Sequence, residues 1–194
     1  MKILKPFYYD DFNCIANKCI DSCCIGWKIS IDENTYKKYK KVKGVFGKKL
    51  NSGINRIRSK NSKLEYGKMK LKNNKCAMLN EENLCSIYIN LGEDYLCNVC
   101  KVYPREIKKH GEIYEKNLYM SCPIVASYLV NHKEDFYFNM EEEILSDLEK
   151  EIILYAKNDE KLYQCIWETR SFAMEVIQFK DIELWKRIVF IKML

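Results

Sequence analysis

The residues most able to do chemistry in this sequence are its cysteines: ten in 194 residues, nine of them within the first 122. They run Cys14-x4-Cys19-x3-Cys23-Cys24, then Cys76, Cys85, Cys97-x2-Cys100 and Cys122, with Cys165 standing apart. Thiolates are soft anionic ligands, and four of them around one centre suit zinc or an iron–sulfur cluster. A close pair such as Cys97 and Cys100 delivers two sulfurs at little cost in loop closure, and the first loop would complete the shell. Cys23 and Cys24 are adjacent, and neighbouring side chains of an extended backbone point to opposite faces. On that geometry one of the two ligates while the other packs, bridges or serves a second site. A plainer reading is the buried thiol that packs like a small apolar group. It fits Cys165, which shares a helical pattern with Ile166 and Trp167, and Cys122 in part. It fits nine cysteines in 122 residues poorly. The metal reading requires four of these sulfurs to converge in space.

Apolar residues make up 47% of the chain and charged residues 31%, a globular composition with enough length for one domain and the start of a second. Lys2 and Lys5 lie near the N-terminus, but Pro6, Asp10 and Asp11 interrupt the stretch before a secretory apolar region forms. The longest apolar run, 125–130, is too short to span a bilayer. A cytoplasmic location is therefore expected. There thiols stay reduced, so metal binding is favoured over a disulfide framework, which would return only for an exported chain.

The net charge of +6 conceals an asymmetry. Residues 37–75 hold fifteen Lys or Arg and one acid, Glu65, giving this stretch +14 and the remainder −8. Such a field attracts anions. The stretch can be a solvated face, a dock for an acidic protein, or a nucleic-acid surface with Tyr36, Tyr39, Phe46 and Tyr66 interleaved as stacking groups.

Several elements follow from pattern. Residues 1–35 read as irregular. Asp32 predicts an N-cap for a helix over 33–42, after which Gly44 and Gly47 interrupt. Residues 51–61 read as a loop or short helix, 64–71 as a strand, and Asn73 with Asn74 as a turn. The apolar runs 76–79 and 84–89 predict a hairpin joined by 80–83. A short helix carrying Leu96, Cys97 and Cys100 ends before Pro104, and 112–119 alternates as a strand. Ser121 predicts an N-cap with Pro123 in the first turn. Helical spacing recurs over 144–155, 166–177 and 182–194. That last pattern is unfinished at residue 194, so the polypeptide is expected to continue.

Three blocks carry a resemblance: FNCIANKCIDSCCIGWKISID, CAMLNEENLCSIYINLGEDYLCNVCKVYPR and LYMSCP. They resemble the signature blocks of the flagellin lysine N-methylases, within a wider group of cysteine-cluster proteins described as zinc- or iron-chelating. The wider pattern is met by Cys19, Cys23 and Cys24, by Cys76, by Cys85 with Ile87 and Tyr88, and by Cys100 with Tyr103 and Pro104. The narrower one adds Gly26 and Trp27, Arg105, and Ser121-Cys122-Pro123. The blocks cover residues 7–130. The resemblance implies methyl transfer from S-adenosylmethionine to lysine amines of flagellin by a protein holding a [4Fe–4S] cluster. It also implies a longer chain than this one. Neither a G-x-G-x-x-G dinucleotide motif nor the Cys-x3-Cys-x2-Cys spacing of radical S-adenosylmethionine enzymes occurs. Methyl transfer therefore rests on the resemblance alone.

Within that frame the metal ligands are expected among Cys14, Cys19, Cys23, Cys24, Cys76, Cys85, Cys97, Cys100 and Cys122. Arg105 is a candidate for the donor's carboxylate, through two parallel hydrogen bonds, or else a cap on backbone carbonyls. A lysine must lose a proton before it attacks a methyl sulfonium, so Tyr103 and Glu106, with Asp94 and Tyr95 nearby, are candidate acceptors or solvated surface groups. Trp27 is expected to shield the site. His110 and His132 sit among charges and read as surface residues. The expected fold is mainly α with a small cysteine-rich α+β metal-binding region, divided as 1–122 for the cysteine-cluster domain and 123–194 for a helical region. The rival function is a non-enzymatic zinc- or iron-binding module whose basic segment binds nucleic acid or a protein.

Overall fold

The computed structural model describes residues 1–58, 62–155 and 160–193. Its strands in chain order are β1 (Lys2–Pro6), β2 (Ser30–Ile31), β3 (Ile54–Arg56), β4 (Gly67–Met69), β5 (Leu71–Lys72), β6 (Lys75–Cys76), β7 (Arg105–His110), β8 (Ile113–Leu118), β9 (Phe138–Glu142) and β10 (Leu154–Tyr155). Its helices are α1 (Glu33–Lys41), α2 (Gly44–Ser52), α3 (Ser86–Leu91), α4 (Asn98–Val102), α5 (Pro123–Asn131), α6 (Asp147–Ile152), α7 (Glu160–Gln178) and α8 (Leu184–Lys192). Helix accounts for about 41% and strand for about 21%. The expectation of a mainly α fold is therefore corrected: this is a mixed fold built on a five-stranded sheet of order β10-β7-β8-β1-β9. The reason lies in β1, β7 and β9, whose lysines, glutamates and histidine obscure the period-two pattern that marks a strand.

The chain forms two compact units. The first comprises Met1–Asp10, Ile107–Asn117 and Val130–Leu194; the second comprises Asp11–Glu106 and Leu118–Leu129. In the first, β1 runs parallel to β8 and antiparallel to β9. Ile3, Ile107 and Leu145 form its buried centre, with Tyr114, Ile152 and Ile153 against them. Lys5, 5% exposed, is held by Asp10, Glu141 and Glu143 at 2.6, 2.8 and 2.7 Å. Lys116 is bound by Glu143 and Glu149 at 2.6 and 2.9 Å. The helix expected over 144–155 is shorter, α6, opened by a reciprocal Ser146/Glu149 cap and followed by β10.

The second unit starts its first helix as the sequence dictates: Asp32 Oδ1 accepts the Thr35 amide at 2.8 Å. Tyr36 and Tyr39 face inward, joining Ile29, Ile31, Leu50, Met78 and Ile87 in one core. The first helix ends at Lys41, ahead of Gly44, and a second, α2, then opens at Gly44. Gly47 within it lies against the Val42 carbonyl oxygen, where any Cβ would collide. Gly67 on β4 leaves room for the Tyr36 ring in the same way. The hairpin expected over 76–89 reduces to a single Leu79–Cys85 bridge, since the chain turns into α3 at Ser86. The ladder forms instead between β5 and β6, around Asn73 and Asn74. The expectations for 59–61 and for residue 194 lie outside the described residues. No described helix is long and apolar enough to cross a membrane.

A thiol-lined candidate metal centre

The second unit's core is lined with sulfur. Cys76 and Cys97 are buried members of it, and Cys24, Cys85 and Cys100 pack against it. Local backbone chemistry explains each placement. Ser22 closes a turn: its carbonyl accepts the Ile25 amide at 3.1 Å and its hydroxyl accepts the Cys24 amide at 3.2 Å. Cys23 and Cys24 therefore sit in a turn rather than an extended strand, and the Cys24 thiol donates to Cys23. The opposite-faces argument does not apply to them. The same loop is stitched to β6, with the Cys76 amide donating to the Cys24 carbonyl at 2.8 Å and the Gly26 amide to Asn74 at 3.0 Å. Cys85 precedes α3, and the Ile87 and Tyr88 amides bond its thiol. Cys97 precedes α4 and Cys100 lies within it, so one helical turn brings their sulfurs to 3.5 Å.

The electrostatics follow from that packing. The Cys24 thiol, donating to Cys23, holds Cys23 down at about 7. The Cys100 thiol does the same for Cys97, lowering it from the ordinary thiol range. Cys24 and Cys100, as the donors of these bonds, are pushed up, with burial and the neighbouring thiolates adding to the shift. Each pair is thus joined by a thiol–thiol hydrogen bond. Burial lifts Cys76 to about 11 and raises Cys85. The thiols also feel one another across the cluster: Cys24 responds to Cys76 and Cys85, and Cys100 to Cys24 and Cys85. Six sulfurs from four stretches of chain share one electrostatic neighbourhood.

Tyr39 is the residue the sequence did not single out. Its side chain is fully buried, and its hydroxyl has no hydrogen-bond partner. Burial keeps that hydroxyl protonated, as do the charges of Cys97, Cys100 and Cys85 around it. A buried, unmatched donor beside thiolates suits a bound anionic group that would accept from it. The donor set and this orphaned hydroxyl together fit a thiolate-held metal or cluster. They do not form a preformed shell: among the described residues no three His, Cys, Asp or Glu side chains are grouped as an ion would require. Loading would need the thiols to close together. In the sequence Tyr39 stood out only as one of the aromatic groups interleaved in the basic stretch, and nothing there marked its hydroxyl as unpartnered.

The other candidates fall as follows. Cys14 and Cys19 lie in the irregular first loop, outside the sulfur-lined core. Cys122 is buried and its charge is felt by Tyr103. Tyr103 bonds Ser121 at 3.1 Å and lies 5.8 Å from the Trp27 ring, and burial raises its pKa. Trp27 donates its indole N–H to the Cys23 carbonyl at 2.7 Å, so ring and thiol loop are fixed together. Glu106 accepts from the Tyr119 hydroxyl at 2.5 Å. Arg105 reaches the Phe12 carbonyl at 3.4 Å with its guanidinium 5.0 Å from that ring, the carbonyl-capping role. Lys38 bonds the Asp94 carbonyl and lies over Tyr95. His110, His132 and Cys165 belong to the first unit; His110 lies 3.6 Å from Glu115, and His132 packs on the Phe7 ring.

Over 131 residues, 66% of its length, the chain is 30% identical to the flagellar biosynthetic protein FliU of Salmonella muenchen, and the match covers 77% of that protein. Two proteins named lysine-N-methylase, from Salmonella choleraesuis and Salmonella typhimurium, match at the same identity over the same length. There the match covers 32% of each, so the chain corresponds to about a third of those relatives. No family model matches the chain, and no solved structure does.

Proposed function

Because the chain belongs to the flagellin lysine N-methylase family, we propose that it is the cysteine-cluster portion of a protein-lysine N-methyltransferase. It would act on flagellin with S-adenosylmethionine as methyl donor and a [4Fe–4S] cluster as resident group. The relatives' names support the lysine chemistry. The observation that carries the inorganic part is the core lined by five thiols, with Cys23 bonded to one of them, together with the unpartnered Tyr39 hydroxyl. Four of Cys23, Cys24, Cys76, Cys85, Cys97 and Cys100 would hold the group, and the Tyr39 hydroxyl would be free to donate a hydrogen bond to it. Such a cluster supplies one-electron chemistry when bound.

The chain's own residues position and exclude. Trp27 and Tyr103 form an aromatic wall on the Cys23 side of the loop. Burial raises the Tyr103 pKa, which disfavours it as the acceptor of a proton. Glu106, with its carboxylate oxygen on the Tyr119 hydroxyl, is the better candidate to receive the proton that a substrate ammonium must lose. Methyl-donor binding is proposed for the complete enzyme and is not assigned to residues of this portion, which matches about a third of the relatives' length. Zinc suits the same sulfurs and would mark the non-enzymatic module.

The test is anaerobic purification of the complete enzyme that carries this portion, with iron, sulfide and zinc analysis, followed by incubation with flagellin and S-adenosylmethionine. Brown protein with iron and sulfide, and methyl mass increments on flagellin lysines, are the expected results. Colourless protein with stoichiometric zinc and no mass increment would overturn the reading.

A further inference from the structure

The basic stretch of the second unit is organised, and its organisation identifies a partner. β5 and β6 pair so that Lys72 stands directly opposite Lys75, across a turn whose Asn73 and Asn74 both take positive φ, 51° and 62°. The Ala77 amide donates to the Lys70 carbonyl at 2.9 Å, continuing the ladder. With side chains alternating along a strand, Lys70, Lys72 and Lys75 share one face of this hairpin. All three are exposed, and none makes an ion pair among the described residues. Like charges directly opposite one another in a hairpin destabilise it. This arrangement costs folding stability with no acid nearby in sequence to offset it.

We propose that this lysine face docks an acidic protein surface, the surroundings of the lysine to be modified. The proposal deepens the methylase reading and rests on it only for calling the partner a substrate. One observation favours a protein over a nucleic acid, and a second ties the lysine face to the thiols. First, the aromatic side chains interleaved in the basic stretch are spent: Tyr36, Tyr39, Phe46 and Tyr66 all pack into the core, and the Arg56 guanidinium covers the Tyr66 ring at 3.5 Å. None remains to stack on bases. Second, the hairpin is hydrogen-bonded to the thiol loop through Cys76–Cys24 and Gly26–Asn74. A chain held on the lysines therefore lies beside the sulfur-lined core.

The experiment measures binding by fluorescence anisotropy, separately from methyl transfer. The probes are a labelled Glu-Glu-Lys repeat peptide, its Gln-for-Glu counterpart, and oligothymidylate. The full chain should bind the acidic peptide, with affinity falling as salt rises, and the Gln peptide far more weakly. K70Q/K72Q/K75Q should lose about tenfold in affinity. K70R/K72R/K75R should retain it, and K40Q/K41Q on α1 should match the parent. Circular dichroism of each variant checks that the fold is kept. Unchanged binding by the triple glutamine variant overturns the proposal, and so does oligothymidylate binding as tightly as the acidic peptide. Loss of methyl transfer with peptide binding intact would fell the enzymatic reading and leave the dock standing.

Discussion

The two units differ in how they treat their most deeply buried polar side chains: the buried lysines of one are paired, and the buried tyrosine hydroxyl of the other is not. In the sheet unit, Lys5 and Lys116 are buried, and each is matched by carboxylates of the same unit. Asp10, Glu141, Glu143 and Glu149 answer them completely, and nothing further is needed to satisfy the charges. In the sulfur-lined unit, thiols bond one another and the Tyr39 hydroxyl has no hydrogen-bond partner. A polar group matched within the protein belongs to the fold. An unmatched hydroxyl packed among thiols is a donor that a bound anionic group would satisfy.

The difference can be broken by substitution, and the largest effect is expected in the sheet unit. Lys5→Ala would leave three carboxylates facing one another and should cost about 3 kcal/mol, read from the urea midpoint. That loss should be the same with and without a metal chelator; dependence on the chelator would mean that the units are not distinguished as argued. Gly67→Ala drives a methyl into the Tyr36 ring. It should cost about 2 kcal/mol, and a variant as stable as the parent would show that the ring moves aside freely.

Tyr39→Phe sharpens the comparison because its sign should invert. In metal-free protein the substitution removes a buried, unpaired hydroxyl and should be neutral or stabilising by about 1 kcal/mol. In loaded protein it removes a hydrogen bond and should destabilise by a similar amount. The same sign in both states would deny Tyr39 its role.

The smallest effect is a pH dependence. Burial tends to raise Glu143 and Glu149, but for Glu143 the bonds from Lys116 and Lys5 prevail, and for Glu149 the Ser146 amide and Lys116 do, so both lie below the ordinary carboxylate range. A depressed folded pKa contributes stability that is full above the unfolded value, about 4.3, and lost as pH falls through the folded one. Glu143→Gln should therefore flatten the acid limb of a stability–pH profile by less than about 1 kcal/mol. An unaltered limb would show that the Lys116 and Lys5 bonds do not set it.

Much of the thiol unit was legible in the sequence because its signals are local. Asp32 announces its helix, Asn73 and Asn74 their turn, and the Cys97/Cys100 spacing its one-turn approach. The sheet was far less legible. β1 pairs with β8 and β9 across more than a hundred residues, and its own sequence, KILKP, hides a strand behind two lysines, of which Lys5 finds its carboxylates only in the fold. Tyr39 was illegible for a related reason. Its place among apolar residues was readable, while the lack of any partner for its hydroxyl is a property of the assembled core. The Cys23–Cys24 geometry turned on Ser22, whose hydroxyl and carbonyl set a turn that spacing alone does not reveal.

The most direct test counts the inorganic centre and the sulfurs that hold it. Protein reconstituted anaerobically with iron and sulfide should take up close to one cluster per chain, seen as thiolate-to-iron absorbance. Cys24→Ser, Cys85→Ser and Cys100→Ser should each lose that absorbance, while Cys165→Ser keeps it. Equal loading of all four variants, or no loading of the parent by iron or zinc, would contradict the account.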